Sequence, residues 1–71
     1  MEILVFKTNL QYKKNLKQVV PHLEELEGVI KWNIDFNDKD KVLRIVSKDL
    51  SPRLVEDTLK NAGYACEELP D

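Results

Sequence analysis

Cysteine is almost missing from this chain, where Cys66 stands alone. A single thiol excludes an internal disulfide, a zinc ribbon and any multi-thiolate cluster built within one chain, and it fits a reducing compartment. Glycine numbers two, and no glycine-rich loop exists to cradle a phosphate. His22 is the only histidine, so no second His or Cys is spaced to join it as a metal ligand. Neither charge sign prevails: the formal net charge of -2 offers no general attraction to nucleic acid or to an anionic membrane. The longest aliphatic-aromatic run, Ile3-Leu4-Val5-Phe6, is far too short to cross a bilayer. The expected location is the cytoplasm.

What is present suits one small folded unit. Seventy-one residues point to a single domain over 1–71, stable by several kcal/mol, on the order of 5. Charged residues make up 34% and hydrophobic residues 42%, a balance that describes a solvated domain with a core rather than a disordered tail.

Pattern divides the chain into six elements. Glu2 to Lys7 is β-branched and aromatic and reads as a buried strand. From Lys13 to Leu26, apolar residues at Leu16, Val19, Val20, Leu23 and Leu26 fall on one helical stripe, with Pro21 inside it and Gly28 ending it. Val29 to Phe36 alternates, with Ile30, Trp32, Ile34 and Phe36 on one face and Lys31, Asn33 and Asp35 on the other. A polar turn, Asn37 to Asp40, leads into a returning strand from Lys41 to Ser47. Ser51-Pro52 starts a second helix whose stripe is Leu54, Val55, Thr58, Leu59 and Ala62, stopped by Gly63. Tyr64 to Leu69 closes as a short strand. The order βαββαβ predicts an α+β, ferredoxin-like fold with two helices on one face of a four-stranded antiparallel sheet.

Leu16, Val19, Leu23 and Leu26 before Gly28-Val29, then Trp32-Asn33-Ile34-Asp35, then Leu59 through Gly63-Tyr64, together resemble the heavy-metal-associated domain. That family includes copper chaperones and the N-terminal domains of metal-pumping ATPases. The likeness runs from Phe6 to Leu69, and Phe6-Lys7-Thr8-Asn9 resembles its small single-domain branch. The family holds its metal with two cysteines, two residues apart, at the mouth of the first helix. Those positions fall here on Tyr12 and Asn15, with Lys13 and Lys14 between them. A phenol protonated at pH 7 and a neutral amide do not replace soft thiolates, and flanking lysines repel a cation. The resemblance therefore implies a degenerate member without the metal motif, and no cofactor. It also sets Tyr64 beside the former metal loop, where the Tyr12 ring, in line with Leu16 and Val19 on the wheel, is expected to pack against it.

Lys7, Lys13, Lys14 and Lys17 gather near the start of helix one. They read either as solvated side chains or as a docking end for an anion or an acidic partner surface; the resemblance places a partner at that end. Cys66 shares the strand face of Tyr64 and reads as a small buried hydrophobe. Asp35, Asp38 and Asp40 lack the glycine and terminal glutamate of a calcium loop. Val42 and Val46 should lie on the open sheet face, a candidate homo-oligomer surface. Acylphosphatases share the topology, but Arg44 and Arg53 are the only arginines, and no Ser-His-Asp or Cys-His spacing supports an enzyme. Paired aromatic strand motifs for RNA are missing as well. The reading is a non-enzymatic interaction or regulatory module. The alternative is a copper or zinc carrier with a non-standard site, such as Cys66 shared across a dimer.

Overall fold

A computed structural model describes residues 1–70; Asp71 lies outside the described residues. The elements are β1 (Glu2–Thr8), α1 (Lys13–Glu24), β2 (Val29–Asp35), β3 (Val42–Ser47), α2 (Pro52–Asn61) and β4 (Cys66–Glu68). The strands form one antiparallel sheet in the order β2-β3-β1-β4, and both helices lie against the same face. This is the ferredoxin-like arrangement the element order predicts.

Strand alternation builds the core. Leu4 and Phe6 of β1 stand opposite Ile45 and Leu43 of β3; all four are buried beneath Val19 and Leu23 of α1 and Val55 and Leu59 of α2. The other face of β1 and β3 carries Ile3, Val5, Arg44 and Val46. Val42 shares that face by register but is buried, so the exposed apolar surface there is smaller than the alternation suggests and centres on Ile3.

Several boundaries and side-chain directions differ from expectation, each for a local reason. Helix α1 continues through Pro21 but closes at Glu24, because the Leu26 amide turns back to the Leu23 carbonyl at 3.2 Å. Strand β2 carries a bulge: Val29 pairs with Ser47 and Lys31 with Val46, which leaves Ile30 as the extra residue. Val29 then packs on the core where Ile30 was expected, and Ile30 is 53% exposed. Leu54, placed in the buried stripe of α2 by its spacing, is 46% exposed. It sits about 100° around the helix from Val55, which is aimed at the sheet. Strand β4 begins at Cys66 rather than Tyr64, since the Tyr64 amide is held by the Leu59 carbonyl at 2.9 Å. Ser51 caps α2 with its backbone alone: its carbonyl accepts the Leu54 amide at 3.1 Å, and its side chain makes no cap bond.

The two glycines differ in what confines them. Gly28 has φ +95, its carbonyl accepts the Lys48 amide at 2.8 Å, and an added Cβ would stand 2.6 Å from the Lys48 carbonyl oxygen. Gly63 has φ +94 with open space around it. Gly63→Ala should cost only the left-handed strain, roughly 1–2 kcal/mol. Gly28→Ala must also push two backbones apart and should cost at least about 1 kcal/mol more. Urea denaturation of the two variants side by side measures the difference.

Candidate functional site

The loop from Asn9 to Tyr12 is fixed before helix one begins. Leu10 is buried in the core and anchors it from below. Thr8, the last residue of β1, ties it sideways. Its amide donates to the Asp40 carbonyl at 3.0 Å, its hydroxyl donates to the Lys41 carbonyl at 2.7 Å, and the same oxygen accepts the Leu10 amide at 3.3 Å. Asn9 reaches the other way, its Oδ1 accepting the Ala65 amide at 2.9 Å. The loop is thereby attached both to the β2–β3 turn and to the segment between α2 and β4.

A polar chain runs from the Tyr12 backbone through Asn15 to Tyr64 and Gln18. Tyr12 is the N-cap of α1, with extended backbone, and its carbonyl accepts the Asn15 and Leu16 amides at 3.0 and 3.2 Å. Asn15 Oδ1 accepts the Tyr12 amide at 3.0 Å, the returning half of a capping box. Asn15 Nδ2 donates to the Tyr64 hydroxyl at 3.2 Å, and that hydroxyl donates to Gln18 Oε1. The Tyr64 hydroxyl is thus held at the start of α1 by Asn15 and Gln18. The Tyr12 ring itself is 60% exposed, with the Lys14 ammonium 5.7 Å from its centroid. An N-cap has non-helical backbone, so the helical wheel does not apply to Tyr12. The roles of Thr8, Asn9 and Gln18 were not read from the sequence.

This donor set does not suit a soft metal ion. The amide oxygen of Asn15 is taken by a backbone N–H, and its nitrogen has no lone pair to give. Among the described residues, no group of three or more His, Cys, Asp and Glu side chains converges to hold a metal. Cys66 is buried in β4 opposite Thr8. Burial pushes its thiol up to about 12, helped by the nearby Glu56 carboxylate and opposed by Lys60. A thiol in that state is a poor nucleophile and a poor ligand. Its folded value lies above the ordinary 9.0, so the unfolded chain loses the proton first. The Cys66 contribution to stability should hold below the ordinary 9.0 and fall as pH rises toward about 12. The Cys66→Ser chain should not show that decline when the two are unfolded in urea across this range.

The four lysines do not form one cluster of equivalents. Lys7 projects from β1 and makes an exposed ion pair with Asp40 at 3.8 Å, a contact of little energetic weight. Lys13, Lys14 and Lys17 are exposed on α1, whose first turn contains no acidic residue. His22 is exposed further along the same helix.

No protein-family model matches the sequence, and no curated protein sequence matches it. Solved structures do. The yeast copper transporter domain Ccc2a superposes with a TM-score of 0.85 at 15% identity, covering 100% of this chain and 99% of that one. The N-terminal domain of PacS from Synechocystis PCC6803 gives 0.83 at 13%, covering 99% and 100%. A chain of the Atx1-Cu(I)-Ccc2a complex gives 0.81 at 15%, covering 100% and 99%. At such identities the likeness is one of architecture, and it spans whole chains: the protein has the ferredoxin-like fold of these heavy-metal-associated and copper domains.

Proposed function

We propose that this domain is a metal-independent, non-enzymatic docking module, which receives an acidic surface of a protein partner at the N-terminal end of α1. The observation that carries this reading is the commitment of Asn15. Its side chain closes the helix cap and bonds Tyr64, so one of the two positions that would face a metal is spent on holding the loop. The exposed Lys13, Lys14 and Lys17, beside a helix N-terminus with no acidic neighbour in its first turn, supply the charge that an acidic surface would meet. The Atx1-Cu(I)-Ccc2a complex, a chain of which has this fold, supports the docking of such a domain with a protein partner, there with Cu(I) present. The absence of a long apolar helix among the described residues agrees with a domain that works outside the bilayer, for which the cytoplasm is the proposed location.

The runner-up is a copper or zinc carrier that coordinates through Cys66 across a dimer. The copper-binding neighbours favour it; the burial and high pKa of the thiol oppose it. One experiment separates the two: titrate the reduced protein with Cu(I) and with Zn(II), following backbone NMR shifts. The docking reading expects no stoichiometric shift at Tyr12–Asn15 or around Cys66. Saturable uptake that Cys66→Ser abolishes would establish the carrier. For partner binding, Lys13→Glu with Lys14→Glu should weaken association by roughly tenfold or more and reduce its dependence on salt. Unchanged binding would return the lysines to plain solvated residues.

A further inference from the structure

The sheet ends in two unlike edges. On one side β4 is three residues long, and its Glu68 amide is taken by the Glu56 carboxylate at 2.9 Å. That edge is short and blocked by the protein itself. On the other side β2 runs seven residues, from Val29 to Asp35, and bonds only β3. Among the described residues no strand covers its outer side. An open edge offers a row of backbone donors and acceptors to an incoming strand. The bulge at Ile30 interrupts it and leaves Lys31 to Asp35 as the regular stretch.

We infer that this edge pairs with the same edge of a second copy, antiparallel, about a two-fold axis passing beside Asn33. The stretch Lys31-Trp32-Asn33-Ile34-Asp35 is complementary to its own reverse. Centred on Asn33, the pairing sets Lys31 opposite the second copy's Asp35, twice over by symmetry. It also sets Trp32 opposite the second copy's Ile34. Register within the protein puts Lys31 and Asp35 on the open face of the sheet, across from Val46 and Val42, while Trp32 and Ile34 pack toward the core on the helix face. Continuing the sheet through the axis preserves both faces, because paired residues differ by an even number. The neighbouring face-preserving registers lose the match. Centring on Trp32 sets Lys31 against Asn33, and centring on Ile34 sets Asp35 against Asn33. Asp35 is able to take part, since its Oδ1 accepts the Asn37 amide at 3.0 Å and the second carboxylate oxygen stays free for an ammonium. Half-buried Trp32 and Ile34 would gain cover, and cross-strand pairs of these types each stabilise a sheet. A five-residue contact is small, so the dimer is a weak, concentration-dependent one.

Sedimentation equilibrium of the full chain, up to about 1 mM, tests it. Self-association to a dimer is expected, with NMR shifts on concentration confined to Lys31–Asp35 and its neighbours. Lys31→Glu alone, or Asp35→Lys alone, places like charges across the axis and should weaken the dimer at least about tenfold. The double exchange of Lys31→Asp with Asp35→Lys should restore it. If Asp35→Lys disturbs folding by circular dichroism, Lys31→Glu decides, because Lys31 is exposed and makes no bond within the protein that its loss would break. A chain that stays monomeric throughout the range overturns the inference. So does a dimer indifferent to these reversals, including one that Ile3→Lys abolishes, which would put the contact on the open sheet face.

Discussion

Replacing Tyr12 and Asn15 together by cysteine should convert this chain into a tight Cu(I) binder, raising affinity by at least roughly a thousandfold over the parent. The exchange supplies soft donors to a loop that is already held in place. The loop is anchored by Leu10 beneath it and by Thr8 and Asn9 on either side, and none of these contacts involves the two exchanged side chains. Two thiolates at the mouth of α1 also lie near its positive end, which lowers a thiol pKa and favours the ligating form. The exchange has a structural cost. Losing the Asn15 cap and its bond to Tyr64 should lower the stability of the metal-free variant by about 1–2 kcal/mol. Competition against a chelator of known affinity reads the first effect, and urea denaturation of the metal-free protein reads the second. A double-cysteine variant that fails to hold Cu(I) while folding normally would show that the loop differs in shape from those of the copper domains it superposes on.

Truncating Phe6 should come close to abolishing the fold. Its ring is fully buried on the central strand β1, opposite Leu43 and roofed by both helices. Removing such a ring costs about 3–5 kcal/mol through lost burial and the cavity left behind, and a domain of this size has only about that much to lose. Phe6→Ala is therefore expected to be largely unfolded near 37 °C. Phe6→Leu, which keeps most of the volume, should lose only about 1–1.5 kcal/mol. Urea midpoints at an unchanged slope would report both as stability effects. An alanine variant that loses less than about 2 kcal/mol would mean that the core closes over the gap.

The fold was legible because its signals are local. Pro52 at the first position of α2 and the left-handed Gly28 and Gly63 mark the helix boundaries, and the alternation in β1 and β3 sorts core from surface. Ile30 was misplaced because a bulge breaks the two-residue period without leaving a mark in a run of β-branched residues. Leu54 was misplaced because two adjacent apolar residues, Leu54 and Val55, cannot both face the sheet, and spacing alone does not choose between them. At the mouth of α1, the lack of a cysteine pair was plain from residue type; the bonds made there were not. The bonds Tyr64–Gln18 and Ala65–Asn9 join residues 46 and 56 positions apart, and an uncharged polar side chain carries no trace in the sequence of a partner so distant. Tyr12 drew attention as the larger and more apolar residue, yet the small amide beside it holds the loop.

Pro21 sets a consequence for motion along α1. It has no amide to offer the Lys17 carbonyl, so the final turn of that helix is missing one rung of its ladder. The first turn, by contrast, is cross-braced through Asn15, Gln18 and Tyr64. Breathing of this helix should start from its tail, and amides there should exchange with solvent sooner than those at its head. The end proposed to meet a partner is thus kept stiff, while thermal fraying is diverted to the opposite pole of the same rod.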